Sequence, residues 1–545
     1  MSLRWIGLSS FFLVLLSCSR QAPYDVPLVD AVARYGHPIT TISEDAQRYF
    51  DQGLVLYYAF NHEAAILSFK QALAIDSTCA MAWWGIAASL GPNINNPAMD
   101  SSACVDAWNA VQRAVELSQR TSAFERDLIN ALATRYTLPP LKDRGKINRA
   151  YANAMRRVYE TYKDDPEAGS LFADALLNLR PWDLWTSDGT PMPETPEIVS
   201  VLEQVLAMTP DHPGAAHFYI HTMEASPMPE KALGAAQVLR TRIPGAGHLV
   251  HMPSHIYIRT GRYADAAESN RQAIRADSAW AAAGGFYTLY RAHNYHFLAY
   301  AAMFDGQRGA ALDAAKGILR QIPLDVVQQY PDFLEGFYGI PTHVMVRFGM
   351  WEEILAEPEP PEDLFVTLAT WRYGRTVALS ALRRVKEAEA EFSELRKAYA
   401  LMPESRTIGN NTGKTVLEIG LLMAEGELEY SRGNRERAFG LLREAVAKDD
   451  ELRYDEPWGW MMPVRHSLGA LLLDAGRTEE AERVYRKDLS LHPANGWSLK
   501  GLAECLHMTG QHHEAERTDS LFAQAWARSE VPLRFSCFCR LEKGS

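Results

Sequence analysis

The sequence predicts an all-α chain of stacked helical hairpins, and three observations predict it. Apolar residues recur with the helical period from Ala46 onward, and strand-like alternation is essentially absent. Turn glycines and crossing alanines repeat at one interval: Gly476 and Gly510 are 34 residues apart, as are Ala481 and Ala515. The chain has 545 residues, 47 % of them hydrophobic, which is too long for one conventional core. A repeat array escapes that limit, because each unit buries surface only against its neighbours.

Arg4 precedes an apolar run from Trp5 to Leu16, too short to span a bilayer as a helix and suited to the core of an export signal. The run ends Leu15-Leu16-Ser17-Cys18, which resembles the lipobox of bacterial lipoproteins. That resemblance implies a signal peptide over 1–17, a lipid anchor at Cys18 and a bacterial membrane as partner. Ser19 and Arg20 do not resemble the aspartate signal for inner-membrane retention, so the periplasmic face of the outer membrane is expected. An ordinary signal peptide cleaved nearby would instead give a soluble periplasmic or extracellular protein.

Residues 18–45 read as an irregular lead-in, and 46–178 as the first helical block. A unit starting at Ala46 has Gly53, Ala65, Phe69 and Ala72 at positions 8, 20, 24 and 27. The next starts at Ala80, and its turn is replaced by the rigid insertion Gly91–Pro97. Small residues at these positions let two helix backbones approach closely. The pattern resembles the tetratricopeptide repeat family, which implies a right-handed α-α superhelix of antiparallel hairpins with a concave groove. Residues 179–212 form a Pro/Trp-rich loop and connecting helix. Pro181, Trp182, Trp185, Gly189, Pro191, Pro193 and Pro196 forbid a regular helix, and the tryptophans need cover, so an ordered loop over the groove is expected. A histidine-rich block follows over 213–355, then C-terminal helices over 356–530 and a tail over 531–545. A second loop excursion runs from Tyr454 to Pro463 through Pro457, Trp458 and Trp460. Cys537 and Cys539 in the tail could form a local bridge, bind metal weakly or have no role, and the last is the expectation.

Net charge is -12, with 67 acidic against 55 basic residues and no basic tract, which argues against nucleic acid as a partner. The chemistry lies in the histidines. Start units at Pro213, Gly247, Ala292 and Glu335. His217, His251 and His296 then take position 5; His221, His255 and His343 take position 9; His248 and His293 take position 2. Glu224 falls at position 12 and Tyr300 at position 9. These positions span about 80° of one helix face, and in the family resembled that face lines the groove. Eight imidazoles converging from neighbouring hairpins suffice for two or more metal centres. The other eight histidines, among them His62, His212, His466 and His492, read as turn or surface residues. Met252-Pro253-Ser254-His255 echoes Ile340-Pro341-Thr342-His343, and a proline there should kink the helix or start it late.

Imidazole-rich sets suit copper, zinc or iron rather than calcium or magnesium. Copper is the first choice, given neutral nitrogen ligands, surrounding tyrosines and an oxidising compartment. The expected function is a multi-copper oxidase or oxygenase acting on a small organic molecule, or a peptide, in the groove. Glu224 is a candidate ligand, orienting group or base. Tyr300 is a candidate redox partner or substrate contact, and Arg347 a candidate anchor for an anionic group. A zinc-dependent hydrolase is the second enzyme reading; no HExxH motif is present. A copper or zinc carrier and a periplasmic adaptor are the noncatalytic readings.

Overall fold

The computed structural model describes residues 26–141, 143–278, 280 and 285–540. The signal segment and Cys18 lie outside the described residues. The fold is an all-α stack of helical hairpins. Glu44–Tyr58 packs against His62–Ile75, Tyr287–Phe304 against Arg308–Gln321, Phe365–Ala381 against Val385–Leu401, and Gly496–Met508 against His512–Ala525. Among the described residues the strands are two short pieces, Thr407–Ile408 and Asn411–Thr412, paired antiparallel.

The repeat register has a steric cause. Phe69 lies between Gly53 of its own hairpin and Gly85 of the next. A Cβ at Gly53 would come within 2.6 Å of the Phe69 ring, and one at Gly85 within 2.5 Å. Tyr485 sits in the same way between Gly469 and Gly501. In these two hairpins an aromatic ring from the second helix fills the space that two glycines leave open. Turns close the units, and Gly476 and Gly510 adopt φ of 78° and 74°, a region costly for residues with a Cβ.

Two departures from plain hairpins shape the middle of the stack. The Gly247–His251 helix stops at Met252, and a new one runs over Pro253–Arg259. Pro253 has no N–H to continue the ladder, and the Ser254 hydroxyl donates to the His251 carbonyl at 2.6 Å instead. Pro341 likewise sits at the start of Ile340–Arg347. The second departure is the loop after Leu177. It is pinned by Trp185, whose indole N–H donates to the Thr222 carbonyl at 2.6 Å. In the tail, Cys537 and Cys539 are joined by a disulfide, which replaces the expectation of no role. No helix among the described residues is long and apolar enough to cross a membrane.

Candidate metal centre

Six of the eight candidate histidines converge into two adjacent triads. His217 and His221 come from helix Pro213–Met223, and His248 from Gly247–His251. One nitrogen from each lies within 4.8 Å of the other two. His251, His255 and His293 form the second triad, with the same separation limit. His251 closes one half of the broken helix, His255 lies on the other half, and His293 comes from Tyr287–Phe304. The interruption at Met252–Pro253 therefore falls between two histidines of one triad. The triads touch: the His248 and His251 ring centroids are 5.5 Å apart, and those of His221 and His255 are 5.9 Å apart.

The inner face of the stack is filled here rather than open. His217 and His251 are fully buried, and His221, His248 and His255 nearly so, while His293 and His296 are half-buried. One phenylalanine covers each triad. Phe60 contacts His217, His221 and His248, and Phe297 contacts His251, His255 and His293.

Hydrogen bonds fix which nitrogens are free. His217 Nδ1 donates to the Tyr58 carbonyl at 2.6 Å, leaving Nε2 as a buried lone pair with no partner. His221 Nδ1 donates to Glu224 at 2.8 Å, and its Nε2 is also buried without a partner. Neither nitrogen of His248 has one. In the second triad, His251 Nδ1 faces Asn270 Oδ1 at 2.7 Å. The amide is oriented by its own N–H bond to the Ala266 carbonyl at 2.8 Å, so Oδ1 accepts and His251 Nδ1 carries the proton. His251 Nε2 is then a lone pair, and it lies 2.8 Å from His255 Nε2. His255 Nδ1 faces Glu224 at 2.5 Å and Glu456 at 2.9 Å, so its proton sits there. With His255 protonated on both nitrogens, its Nε2–H donates to the His251 Nε2 lone pair, and a metal ion bound there would take the place of that proton.

The electrostatics agree. Burial, reinforced by neighbouring imidazoles, holds His217, His248, His251 and His293 well below the usual histidine range, so they are neutral donors. His255 is the exception. Burial opposes its charge, but the Glu224 and Glu456 carboxylates outweigh it and push its pKa up to about 10. Burial works against the Glu224 charge too, yet His255 and His221 pull that carboxyl down to about 2. Burial pushes Glu456 up to about 8. Glu224 thus joins the triads, with one oxygen on His221 and the other on His255. Carboxylates and carbonyls that hold the far nitrogen of an imidazole are the usual outer partners of metal-binding histidines.

The remaining candidates fall elsewhere. A cavity of about 300 Å³ adjoins the second triad, and His293, His296, His343 and Glu456 line it. Trp182 from the first loop and Trp458 from the second wall it, so both loops fold over the site. Trp182 also packs edge-on to His221 at 5.6 Å. His296 and His343 belong to this cavity and to neither triad. Tyr300 does not line it; its buried ring stacks on Trp458, with centroids 6.0 Å apart. Arg347 is no substrate anchor for it either. Its guanidinium lies 3.6 Å from the Trp497 ring centroid and donates to His466 Nδ1 at 2.8 Å. His466 reaches Asp488 at 2.9 Å, and His492 is buried nearby. His212 is buried and caps helix Pro213–Met223 through the Ala215 N–H. All three are buried rather than at the surface: His212 and His492 sit in connections between helices, as a turn residue would, and His466 lies inside helix Val464–Asp474.

Sequence reasoning missed Glu456, Asn270, Tyr58 and Phe60. The proline- and tryptophan-rich excursion at 454–463 was the available signal for Glu456. Asn270 lies on the second helix of the His251 unit and had no spacing signal.

Comparison with known proteins adds little beyond the repeat. A family model described as tetratricopeptide repeat matches residues 462–487. That stretch is one such repeat. No curated protein matches the chain. Similar solved structures include the human IFIT1 dimer with m7Gppp-AAAA, 12 % identical over 92 % of this chain and 96 % of that one, at a TM-score of 0.35. The APC/C hetero-tetramer Cut9-Hcn1 is 12 % identical over 94 % of this chain and 79 % of that one, at a TM-score of 0.31. Neither likeness carries an argument about function.

Proposed function

We propose that the protein is a dinuclear copper oxidoreductase, an oxidase or oxygenase, whose two histidine triads each hold one copper ion. The observation that supports it is the gathering of six imidazoles, three and three, in adjoining clusters, with Nε2 of His217 and His221 and both nitrogens of His248 buried and without partners. Neutral nitrogen donors with no thiolate favour copper over harder cations; zinc and iron are the alternatives. Bound there, a pair of copper ions would supply one-electron redox chemistry toward dioxygen and an organic reductant. The chain's own residues do the rest. Glu224 orients the His221 and His255 rings. Asn270 and the Tyr58 carbonyl do the same for His251 and His217. Phe60 and Phe297 exclude water from the donor set.

The substrate is a small organic molecule rather than a peptide. The cavity beside His293 holds about 300 Å³ and is walled by tryptophan, phenylalanine and tyrosine rings. Its acidic lining residues among those described are Asp455 and Glu456, whose carboxyls burial pushes up to about 7 and about 8, so it suits a neutral ring better than an anion.

The test is metal analysis of untagged protein, followed by oxygen uptake with a panel of phenols and aromatic amines. At least two copper ions per chain and copper-dependent uptake are expected. Stoichiometric zinc with ester or amide hydrolysis would replace this reading with the hydrolase, and tight copper without turnover would replace it with the carrier. His251→Ala should lose copper from the second triad and all uptake while keeping most of its helical signal by circular dichroism. Full copper content in that variant would remove His251 from the ligand set. We also propose export with a lipid on Cys18. Cys18→Ala should then move the protein from the membrane fraction to the soluble periplasmic fraction, and an unchanged distribution would count against the anchor.

A further inference from the structure

The cavity contains a set of donors that neither triad uses. His296 Nε2 lies 3.2 Å from the Met461 sulfur. Both residues line the cavity, and so does His343. His343 Nδ1 is buried and has no hydrogen-bond partner. The three residues come from widely separated parts of the chain: helix Tyr287–Phe304, helix Ile340–Arg347 and the 454–463 loop. Local sequence preference therefore does not explain the meeting. A thioether is a weak hydrogen-bond acceptor, so a buried imidazole nitrogen gains little from facing it. Toward a soft cation the same sulfur is a good donor, and the pairing of thioether with imidazole selects monovalent copper over zinc, iron and calcium.

We infer that His296 and Met461, with His343 beside them, form a third metal site, specific for Cu(I), on the wall of the cavity. It goes beyond the paired centre, because it shares no ligand with either triad. His293 and His296 stand one turn apart, with ring centroids 6.4 Å from each other, so an ion held here is one side chain away from the second triad. The site binds copper in its reduced state and needs no redox step to do so.

The experiment is anaerobic titration of the full chain with Cu(I) against a chromogenic Cu(I) chelator, combined with X-ray absorption at the copper edge. The wild-type protein should bind one more equivalent than Met461→Leu, which keeps the side-chain volume. Its absorption spectrum should contain a copper–sulfur shell that Met461→Leu lacks. His296→Gln should lose the same equivalent, and both variants should melt like the wild type. His251→Ala separates this claim from the paired centre: it should lose copper bound by nitrogen and keep the sulfur shell. Equal stoichiometry in wild type and Met461→Leu, or no sulfur shell in the wild type, would overturn the third site. Either result would leave the triads untouched.

Discussion

Two imidazole nitrogens 2.8 Å apart, in rings whose far nitrogens face an amide oxygen and two carboxyl groups, define the chemistry at the scale of single residues. His251 is set by Asn270 and His255 by Glu224 and Glu456. The side chains that orient ligands should therefore matter almost as much as the ligands. Asn270→Ala removes the acceptor from His251 Nδ1 without touching a metal-facing atom. It should weaken copper binding by about 10- to 100-fold, measured by competition with a chelator, and leave the fold intact. Unchanged affinity would mean that the amide does not set the tautomer. The histidines that carry this argument were legible from spacing, because a 34-residue register turns H-x3-H and H-x2-H into positions on one face. Their separation into two sets of three, with His296 and His343 left for the cavity, was not legible. It depends on the break at Pro253 and on a carboxylate more than 200 residues away in the chain. Arg347 and Tyr300 show the same limit. Spacing placed Tyr300 on the face, but Trp458 lies against it, and Trp497 and His466 take up Arg347.

At the scale of elements, hairpins near both ends of the stack are held in register by an aromatic ring between two glycines. Gly53 and Phe69 could be found in the sequence by their places in the repeat; Gly85 could not. The role of Phe69 as the wedge between successive units needed coordinates. Gly85→Val would drive a side chain into the Phe69 ring, already 2.5 Å from an added Cβ. It should destabilise the protein by about 1–3 kcal/mol, read from the denaturant midpoint. Gly433→Ala is the control for space: nothing lies within 4 Å of an added Cβ there, although φ is 89°. Its cost should come from the backbone alone, on the order of 1 kcal/mol. The loops at 179–196 and 454–463 were recognisable as ordered from their tryptophans. Their convergence over one cavity was not, because each is an insertion outside the repeat period.

For the whole molecule, many buried neutral histidines imply acid sensitivity. Burial pushes His343 and His492 down to about 4 from an ordinary 6.5. Their folded pKa is depressed, and the protonated form is the one burial disfavours. The unfolded chain therefore takes up protons first as pH falls below about 6.5, and stability drops until the folded groups protonate near 4. Each such group removes roughly 1.4 kcal/mol per pH unit within that window. The apoprotein should lose thermal stability steeply between pH 6.5 and 4. Loading with copper should delay that loss, because the metal binds the neutral imidazoles of the folded state. A flat melting temperature across this window would contradict the burial of these rings.

The central claim is that the two triads are metal centres, and anomalous scattering from crystals of copper-loaded protein tests it most directly. The account predicts one strong peak at the copper edge among His217, His221 and His248, and a second among His251, His255 and His293. Empty triads in crystals of protein that binds copper in solution, with the anomalous signal elsewhere, would contradict it.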